Sequence, residues 1–493
     1  MLPTVDVVNL KKVREIKNEA LKIIKPTKHE IEKQKEIINR LKQSIEKIAI
    51  KKGYKFLFVE EEGSTGIKQT QLRGASDIDI FVALSPNDYK DILKLSKKEM
   101  RDKLHKEFEI IVEEWFKPAA INAGCTNIKI TYAEHPYLSA KISGFDVDIL
   151  AGFWLELQEL LKRGPITAVD RTPHHSRFVH KNLSKEQRDE VRLLKAFLKA
   201  CYTYGDMCAI GRSGFTGFSV ELLIYFYKAF ERVLLNLKNL PKTPIDFFGR
   251  KAEELRKHPK FGKDFLIIVD PTDPNRNAAA SIDKRAYLYA NHVAQKFLTN
   301  PSKEYFIKKP IKPLSLAEER NYKNQLLIVE FKNTKNLHYA ILRDKLYRLA
   351  SRLSFLLEKE ETGEERFGKT IYEVYFEDPI YALGFYFPKK EIEPYFLRKG
   401  PPVDMIDHVK KFLQKHPNAF EKDGFYWARI KRKYTKPKDL ILDYLSGEGL
   451  LSQITLKNIK ILSVSESGTT PTGKKLATII VKMLLPIIYS ELL

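Results

Sequence analysis

Residues 63–81 read GSTGIKQTQLRGASDIDIF and hold the densest set of groups able to do chemistry in this chain. Run as a strand, Asp77 and Asp79 project from one face because side chains alternate, while Ile78, Ile80 and Val82 go to the other. Adjacent carboxylates repel, a divalent cation relieves the repulsion, and hard oxygen ligands suit magnesium. Upstream, Gly63 allows close approach of the backbone. Ser64 supplies a hydroxyl and an N–H where the strand would pass into a helix, a natural seat for phosphate. A two-metal site needs a third carboxylate from a neighbouring strand. The segment SGFDVDILAG, residues 143–152, offers Asp146 and Asp148 on one face, and alternation does not choose between them.

The elements that must position these groups are readable from periodicity. Thr27 and Glu30 form a capping box, and Ile37, Ile38, Leu41, Ile45 and Ile48 recur at helical spacing, which predicts an amphipathic helix over 28–51. Strands are predicted at 54–60, at 77–84 and as three runs between 128 and 150, separated by a long helical stretch through Trp115. This mixture has too few crossovers for a classical dinucleotide fold. After Gly164 and Pro165, a second capping box at Ser184 and Gln187 precedes a helix with Val191, Leu194, Leu198 and Cys201 on one face, and 166–300 reads as mainly helical. The glycine-rich GRSGFTGF at 211–218 reads as a tight turn before a helix over 219–235. KKPIKP at 308–313 reads as a linker. No internal repeat is found.

Composition narrows the class of function. The 493 residues are 43% hydrophobic and 11% aromatic, enough for real cores, and 86 Lys and Arg against 63 Asp and Glu leave a net charge of +23. That excess favours a polyanionic partner, with nucleic acid ahead of an anionic membrane surface. Three cysteines at irregular spacing exclude a disulfide framework and a zinc knuckle, so a reducing, cytoplasmic home is expected. The N-terminus has no export signal, and the apolar C-terminal ATIIVKMLLPIIYSELL, interrupted by Lys482 and Pro486, reads as a buried terminal helix or strand.

The order Gly63-Ser64, Thr70, Leu72-Arg73-Gly74, Asp77-Ile78-Asp79 and then Asp148 resembles the nucleotidyltransferase superfamily of DNA polymerase beta. More narrowly, ITAVDRTPHH (166–175), EVRLLKAFLKA (190–200) and DPTDPNRNAA (270–279) resemble the archaeal, class I CCA-adding enzymes, tRNA nucleotidyltransferases, over at least residues 26–300. KGPPVD at 399–404 carries the likeness into the C-terminal region. The resemblance implies an α+β multidomain chain. Its parts would be a polymerase-beta-like nucleotidyltransferase head (1–165), a mainly helical central domain binding nucleotide and RNA (166–300), and an α/β C-terminal RNA-holding region (301–493). The activity implied is template-independent addition of C, C and A to the tRNA 3′ end from CTP and ATP, with two Mg2+ ions and loss of pyrophosphate. The tRNA acceptor end would be the partner, with no membrane and with a homodimer left open.

By motif position, the resemblance makes Asp77, Asp79 and Asp148 the catalytic, metal-binding carboxylates and Gly63 and Ser64 the phosphate-contacting turn. Lys68 falls at a basic position, with Ile67 as the alternative alignment. Thr172 and His175 match nucleotide contacts, and His174 stands where an aromatic is more usual. Lys195 and Tyr204 match triphosphate contacts, and Arg276 and Asn277 match an element near the incoming base. Nine residues separate Lys195 from Tyr204, which puts them on opposite faces of one continuous helix, so the helix must end or bend near Tyr202. Other template-independent RNA polymerases, of poly(A) or oligoadenylate type, share the Gly-Ser and carboxylate motifs. A non-catalytic RNA-binding protein on the same fold would have no use for intact carboxylates. In the C-terminal region, Trp427, Arg429, Lys431 and Lys433 alternate onto one face of a strand over 425–434, either a charged edge strand or an RNA-contacting surface.

Overall fold

The computed structural model describes residues 10–75, 77–132, 135–334, 337–446 and 459–491; residues 1–9, read above as lacking an export signal, lie outside these. The chain divides into two compact units, residues 1–205, 215–282 and 290–308 in the first and 206–214, 283–289 and 309–493 in the second.

In the first unit a five-stranded sheet runs in the order β1-β2-β5-β4-β3, from β1 (Phe58–Glu62), β2 (Asp77–Leu84), β3 (Thr126–Tyr132), β4 (Pro136–Ile142) and β5 (Phe145–Phe153). β2 and β5 run parallel and the other pairs antiparallel. Ile78, Ile80, Val82 and Leu84 of β2 and Val147, Ile149 and Ala151 of β5 are buried in one core with Ile37, Leu41 and Ile45 of the helix Lys28–Lys52 and with Trp115. Each buried Val, Leu or Ile side chain here contributes roughly 1.5–3 kcal/mol. A one-residue slip would turn all of them outward, so the core fixes the register and forces the alternate residues, the aspartates, onto the opposite face. The capping box at Thr27 and Glu30 starts the helix as its sequence predicts. The strand expected at 54–60 begins only at Phe58, because Tyr54 and Phe56 pack on Trp115, with ring centroids 5.1 and 5.8 Å away.

The rest of this unit is mainly helical, with helices Thr172–Asn182, Lys185–Ala200, Gly217–Tyr227 and Phe230–Asn236 and a ribbon of β6 (Val269–Asp270) and β7 (Asp273–Asn277). The break demanded by the Lys195 to Tyr204 spacing is present. The helix stops at Ala200, and Tyr202 and Gly205 take φ of 59° and 78°. The helix expected over 219–235 instead starts at Gly217 and is interrupted at Lys228, where φ is 72°.

The second unit holds an antiparallel sheet of β8 (Leu326–Asn333), β9 (Ile371–Glu377), β10 (Ile380–Tyr386) and β14 (Ile459–Ser465), in the order β14-β8-β10-β9. Leu346, Leu349 and Leu353 of the helix Tyr339–Glu358 pack into its core. The apolar C-terminus is helical from Pro471 to Glu491, and its Leu476 and Ile480 lie where a Cβ on Gly384 of β10 would collide with them. Among the described residues no helix is long and apolar enough to cross a membrane. A smaller sheet of β11 (Tyr395–Pro402), β12 (Phe420–Lys422) and β13 (Phe425–Lys431) has the order β11-β13-β12. β13 is its central strand over Phe425–Trp427, but Arg429 and Lys431 lie beyond β12, where the strand pairs with β11 alone, so the charged-edge reading still applies to them. The strand also ends at Lys431, short of Lys433, whose ammonium is ion-paired with Asp443 at 2.9 Å.

Candidate active site

Strand register draws a row of side chains across the first sheet. Glu62 of β1 pairs with Asp79 of β2, Asp79 with Asp148 of β5, and Asp148 with Ser139 of β4. Paired residues share a face, so all four project away from the core. The adjacent row is Asp77, Asp146 and Lys141. This separates the two carboxylates that alternation left open. Asp146 is exposed and ion-paired with Lys141 at 2.8 Å, whereas Asp148 is half-buried beside Asp79 and accepts a hydrogen bond from the Ser139 hydroxyl. Burial, then repulsion from Asp148 and Asp77, raises the Asp79 carboxyl to about 6. Burial raises Asp148 as well, against the Ser139 hydrogen bond. Crowded, partly desolvated carboxylates fit a hard divalent cation, whose charge removes their repulsion. Among the described residues no three or more His, Cys, Asp and Glu side chains already close on one point as a metal cage; what groups the aspartates is strand register.

Between β1 and β2 the chain doubles back over 63–68 as a turn, so the helix start expected behind Ser64 is not formed. Gly63 has φ of 66°, and a Cβ there would overlap the Asp79 carboxylate; one on Gly66 would strike the carbonyls of Glu61 and Glu62. The Thr65 hydroxyl donates to the Asp77 carbonyl at 2.7 Å and fastens the turn to β2. The two alignments of the basic position now differ physically. Ile67 offers only its carbonyl, to His180 at 2.9 Å, while the Lys68 ammonium lies 3.2 Å from Glu221 and 5.5 Å from the centre of the Phe218 ring.

Glu221 and Phe218 were not singled out by the sequence, and both belong to the helix Gly217–Tyr227. Glu221 is buried and accepts from Thr70 Oγ1 (2.8 Å), Lys195 Nζ (3.1 Å) and Lys68 Nζ. Burial alone would raise its carboxyl, but Lys68, Lys195 and Thr70 hold it at about 2. Lys195 and Tyr204 meet at the start of the same helix: a Cβ on Gly217 would lie 3.2 Å from the Tyr204 hydroxyl and 3.8 Å from Lys195 Nζ. The break after Ala200 thus brings together two residues that one continuous helix would hold apart. A lone glutamate inside the apolar run FSVELLIYFY, 218–227, is the signal that could have found Glu221, because a buried charge requires partners.

Phe218 also stacks on His175, with centroids 3.9 Å apart, and so joins the lysines to a second group. His175 Nε2 lies 2.7 Å from Asp270 Oδ2, and Arg276 donates to the same oxygen at 2.8 Å. Burial alone would raise Asp270, yet His175, Arg276 and Thr272 hold it below the usual carboxylate range; desolvation lowers His175. Arg276 keeps 36% of its side chain exposed. It lines an open cavity of about 830 Å³ with Arg171, Thr216, Phe218 and Asp273, within the size range of small-ligand pockets. Asn277 is different. Its amide donates to Asp264 and the Leu266 carbonyl, and its oxygen accepts from the N–H groups of Ile268 and Ala279. That exhausts its capacity, so Asn277 has nothing left to offer a base and instead shapes the ribbon that carries Arg276. Thr172, half-buried, opens the helix Thr172–Asn182. His174 takes an aromatic role, stacked 4.5 Å from Trp154 with Nε2 at the Leu155 carbonyl.

In the second unit, pairing places Trp427, Arg429 and Lys431 on the face of β13 shared with Tyr395, Leu397 and Lys399 of β11 and with Phe420 and Lys422 of β12. No acidic residue stands on that face of the three strands. The other face lies under the helix Ile406–Lys415, whose Phe412 ring would strike a Cβ on Gly400.

A Gly-Ser turn pressed against a row of aspartates on a five-stranded mixed sheet is the arrangement of a nucleotidyltransferase. Residues 189–307 match the family described as tRNA nucleotidyltransferase, second domain, and 324–455 match CCA-adding enzyme, C-terminal domain. The chain is 30% identical over 465 residues to the CCA-adding enzyme of Methanocaldococcus jannaschii, covering 92% of this chain and 97% of that one. It is 31% identical over 427 residues to that of Sulfurisphaera tokodaii, covering 85% and 89%, and 31% over 447 residues to that of Archaeoglobus fulgidus, covering 88% and 90%. Among solved structures, a cytoplasmic RNA terminal U-transferase covers 61% of this chain at 14% identity and a TM-score of 0.43. This chain belongs to the family of CCA-adding enzymes, and it is a tRNA nucleotidyltransferase.

Proposed function

We propose that the chain adds C, C and A without a template to the 3′ end of tRNA, drawing on CTP and ATP and releasing pyrophosphate. The observation that carries this reading is the convergence around one face of the first unit: the Asp77, Asp79 and Asp148 carboxylates, the Gly63-Ser64 turn, and the Lys68, Lys195 and Tyr204 group at a helix N-terminus. Asp77, Asp79 and Asp148 would hold two Mg2+ ions, which when bound supply charge neutralisation and Lewis acidity. The chain's own part is positional. Ser64 and the turn orient the phosphates, Lys68, Lys195 and Tyr204 bind the triphosphate, and the N-terminus of the helix Gly217–Tyr227 favours its charge. Arg276, aimed by Asp270, faces the cavity in which the base would lie, with His175 and Thr172 beside it. In this reading residues 1–165 do the chemistry, 166–300 hold nucleotide and acceptor end, and 301–493 hold the body of the tRNA, with the cation and aromatic face of β13 against its backbone.

The test is to supply a tRNA lacking its terminal CCA with CTP, with ATP and with both, and to sequence the ends. The expected products are CC with CTP alone and CCA with both. A homopolymeric A tail would point to the poly(A)-type reading, and no extension at all to an RNA-binding protein without catalysis.

A further inference from the structure

Glu221 stands where the groups proposed to hold the triphosphate meet. One of its oxygens accepts from Thr70 and Lys195, the other from Lys68, and its side chain is 1% exposed. An apolar residue would fill this place in the helix at a smaller desolvation cost, since a buried charge is offset only by its partners. The arrangement has a use when the site is free of nucleotide. Two buried ammonium groups side by side repel each other, and the Glu221 carboxylate balances their charge and holds them in place. The same ammonium groups are the ones a polyphosphate needs. Lys195 has three donors, and Thr70 Oγ1 at 2.9 Å, Glu221 at 3.1 Å and the Thr70 carbonyl at 3.4 Å stand around them, so a polyphosphate would have to take one over from these partners. A Cβ on Gly217 would stand 3.8 Å from Nζ, so glycine there keeps a side chain off the ammonium.

We propose that Glu221 is a positioning residue acting as an internal counter-anion, which holds Lys68 and Lys195 between turnovers and competes with polyphosphate for them, so that pyrophosphate is let go. The inference rests on the reading above that this cluster takes the triphosphate. Because the two lysines hold the Glu221 carboxyl at about 2, the competing charge is present across the whole working pH range.

The experiment measures binding of inorganic pyrophosphate to the full chain by calorimetry, for wild type, Glu221→Gln and Glu221→Asp, beside steady-state addition to a tRNA lacking CCA. Glu221→Gln keeps an acceptor for Thr70 and removes the charge. It should bind pyrophosphate about tenfold more tightly, the size of one charge-assisted hydrogen bond regained, with a lower KM for CTP, a lower kcat and stronger product inhibition. Glu221→Asp withdraws the carboxylate from the lysines without removing it and should shift binding the same way by less, which decides the matter if Glu221→Gln fails to fold. A scaffold role moves the other way or not at all. Pyrophosphate binding unchanged or weaker in a folded variant, beside an active wild type, overturns the role of Glu221, whereas a wild type that transfers no nucleotide fails the functional reading itself.

Discussion

Gly63 stands directly against Asp79: a Cβ at position 63 would overlap the Asp79 carboxylate, at a backbone φ of 66° that side chains rarely adopt. The phosphate-facing turn and the carboxylate row are therefore one mechanical object. Gly63→Ala should push Asp79 out of place and cut the single-turnover rate of CTP addition roughly hundredfold, the cost of a misplacement near 1 Å. Affinity for tRNA should stay as it was. A variant as fast as wild type would mean that the turn and Asp79 move independently.

Arg276 and Asn277 are neighbours in sequence with opposite expectations. Arg276→Ala, which removes the exposed head aimed by Asp270, should blur the choice among nucleotides by about 1–3 kcal/mol, by analogy with base readout elsewhere. The relevant quantity is kcat/KM for CTP, ATP, UTP and GTP at each step, and equal losses on all four would make Arg276 a phosphate or scaffold residue. Asn277→Ala should leave selectivity alone and cost about 1–3 kcal/mol of stability, because it strands buried backbone groups.

Glu62 ends the carboxylate row with 0% exposure, where burial outweighs the Ser176 hydroxyl beside it and the more distant charges of Lys68 and Arg177. Burial raises its carboxyl from an ordinary 4.5 to about 8. A carboxyl raised in the folded state holds its proton more tightly there than in the unfolded chain. Its contribution to stability is complete below the unfolded value and is lost as pH rises through 8. Glu62→Gln should match wild type in urea denaturation near pH 4.5 and exceed it by roughly 2 kcal/mol or more near pH 8.5. Equal curves at both pH values would show that this carboxyl is not held in the dry environment described.

How much of this was legible in the sequence differs residue by residue. Asp77 and Asp79 were legible because a strand has a period of two and the apolar alternates Ile78, Ile80 and Val82 declare which face is buried. The choice of Asp148 over Asp146 came from the motif resemblance and not from alternation, since both have the same parity; the structure adds the pairing of Asp148 with Asp79 and the Lys141 ion pair of Asp146. Glu221 was hidden by an apolar run that reads as ordinary core, and its partners Lys68 and Thr70 lie about 150 residues away. Asn277 failed as a base reader for a related reason. A motif fixes residue types, whereas the hydrogen bonds to Asp264 and Ile268 come from loop geometry that no spacing encodes.

On β13 the open face carries Trp427, Arg429 and Lys431, while Lys433 is tied to Asp443. Replacing Arg429 and Lys431 with Gln should weaken tRNA binding regardless of sequence and flatten its dependence on log salt by about 0.9 for each phosphate no longer neutralised. Lys433→Gln should do much less. Filter binding from low to moderate salt checks this, and an unchanged slope for the double variant would place the RNA-holding surface elsewhere.

The measurement closest to the central claim compares Asp148→Asn with Asp146→Asn in single-turnover addition of CTP to a tRNA lacking CCA, with Asp77→Ala and Asp79→Ala alongside. Loss of Asp77, Asp79 or Asp148 should reduce the rate by roughly 100- to 1,000-fold or more, the scale on which a group stabilising transition-state charge is missed, with tRNA affinity nearly intact. Asp146→Asn should stay within about tenfold of wild type, since it gives up only an exposed ion pair with Lys141. An inactive Asp146→Asn beside an active Asp148→Asn, or a normal rate in Asp77→Ala or Asp79→Ala, would contradict the assignment of the carboxylate row.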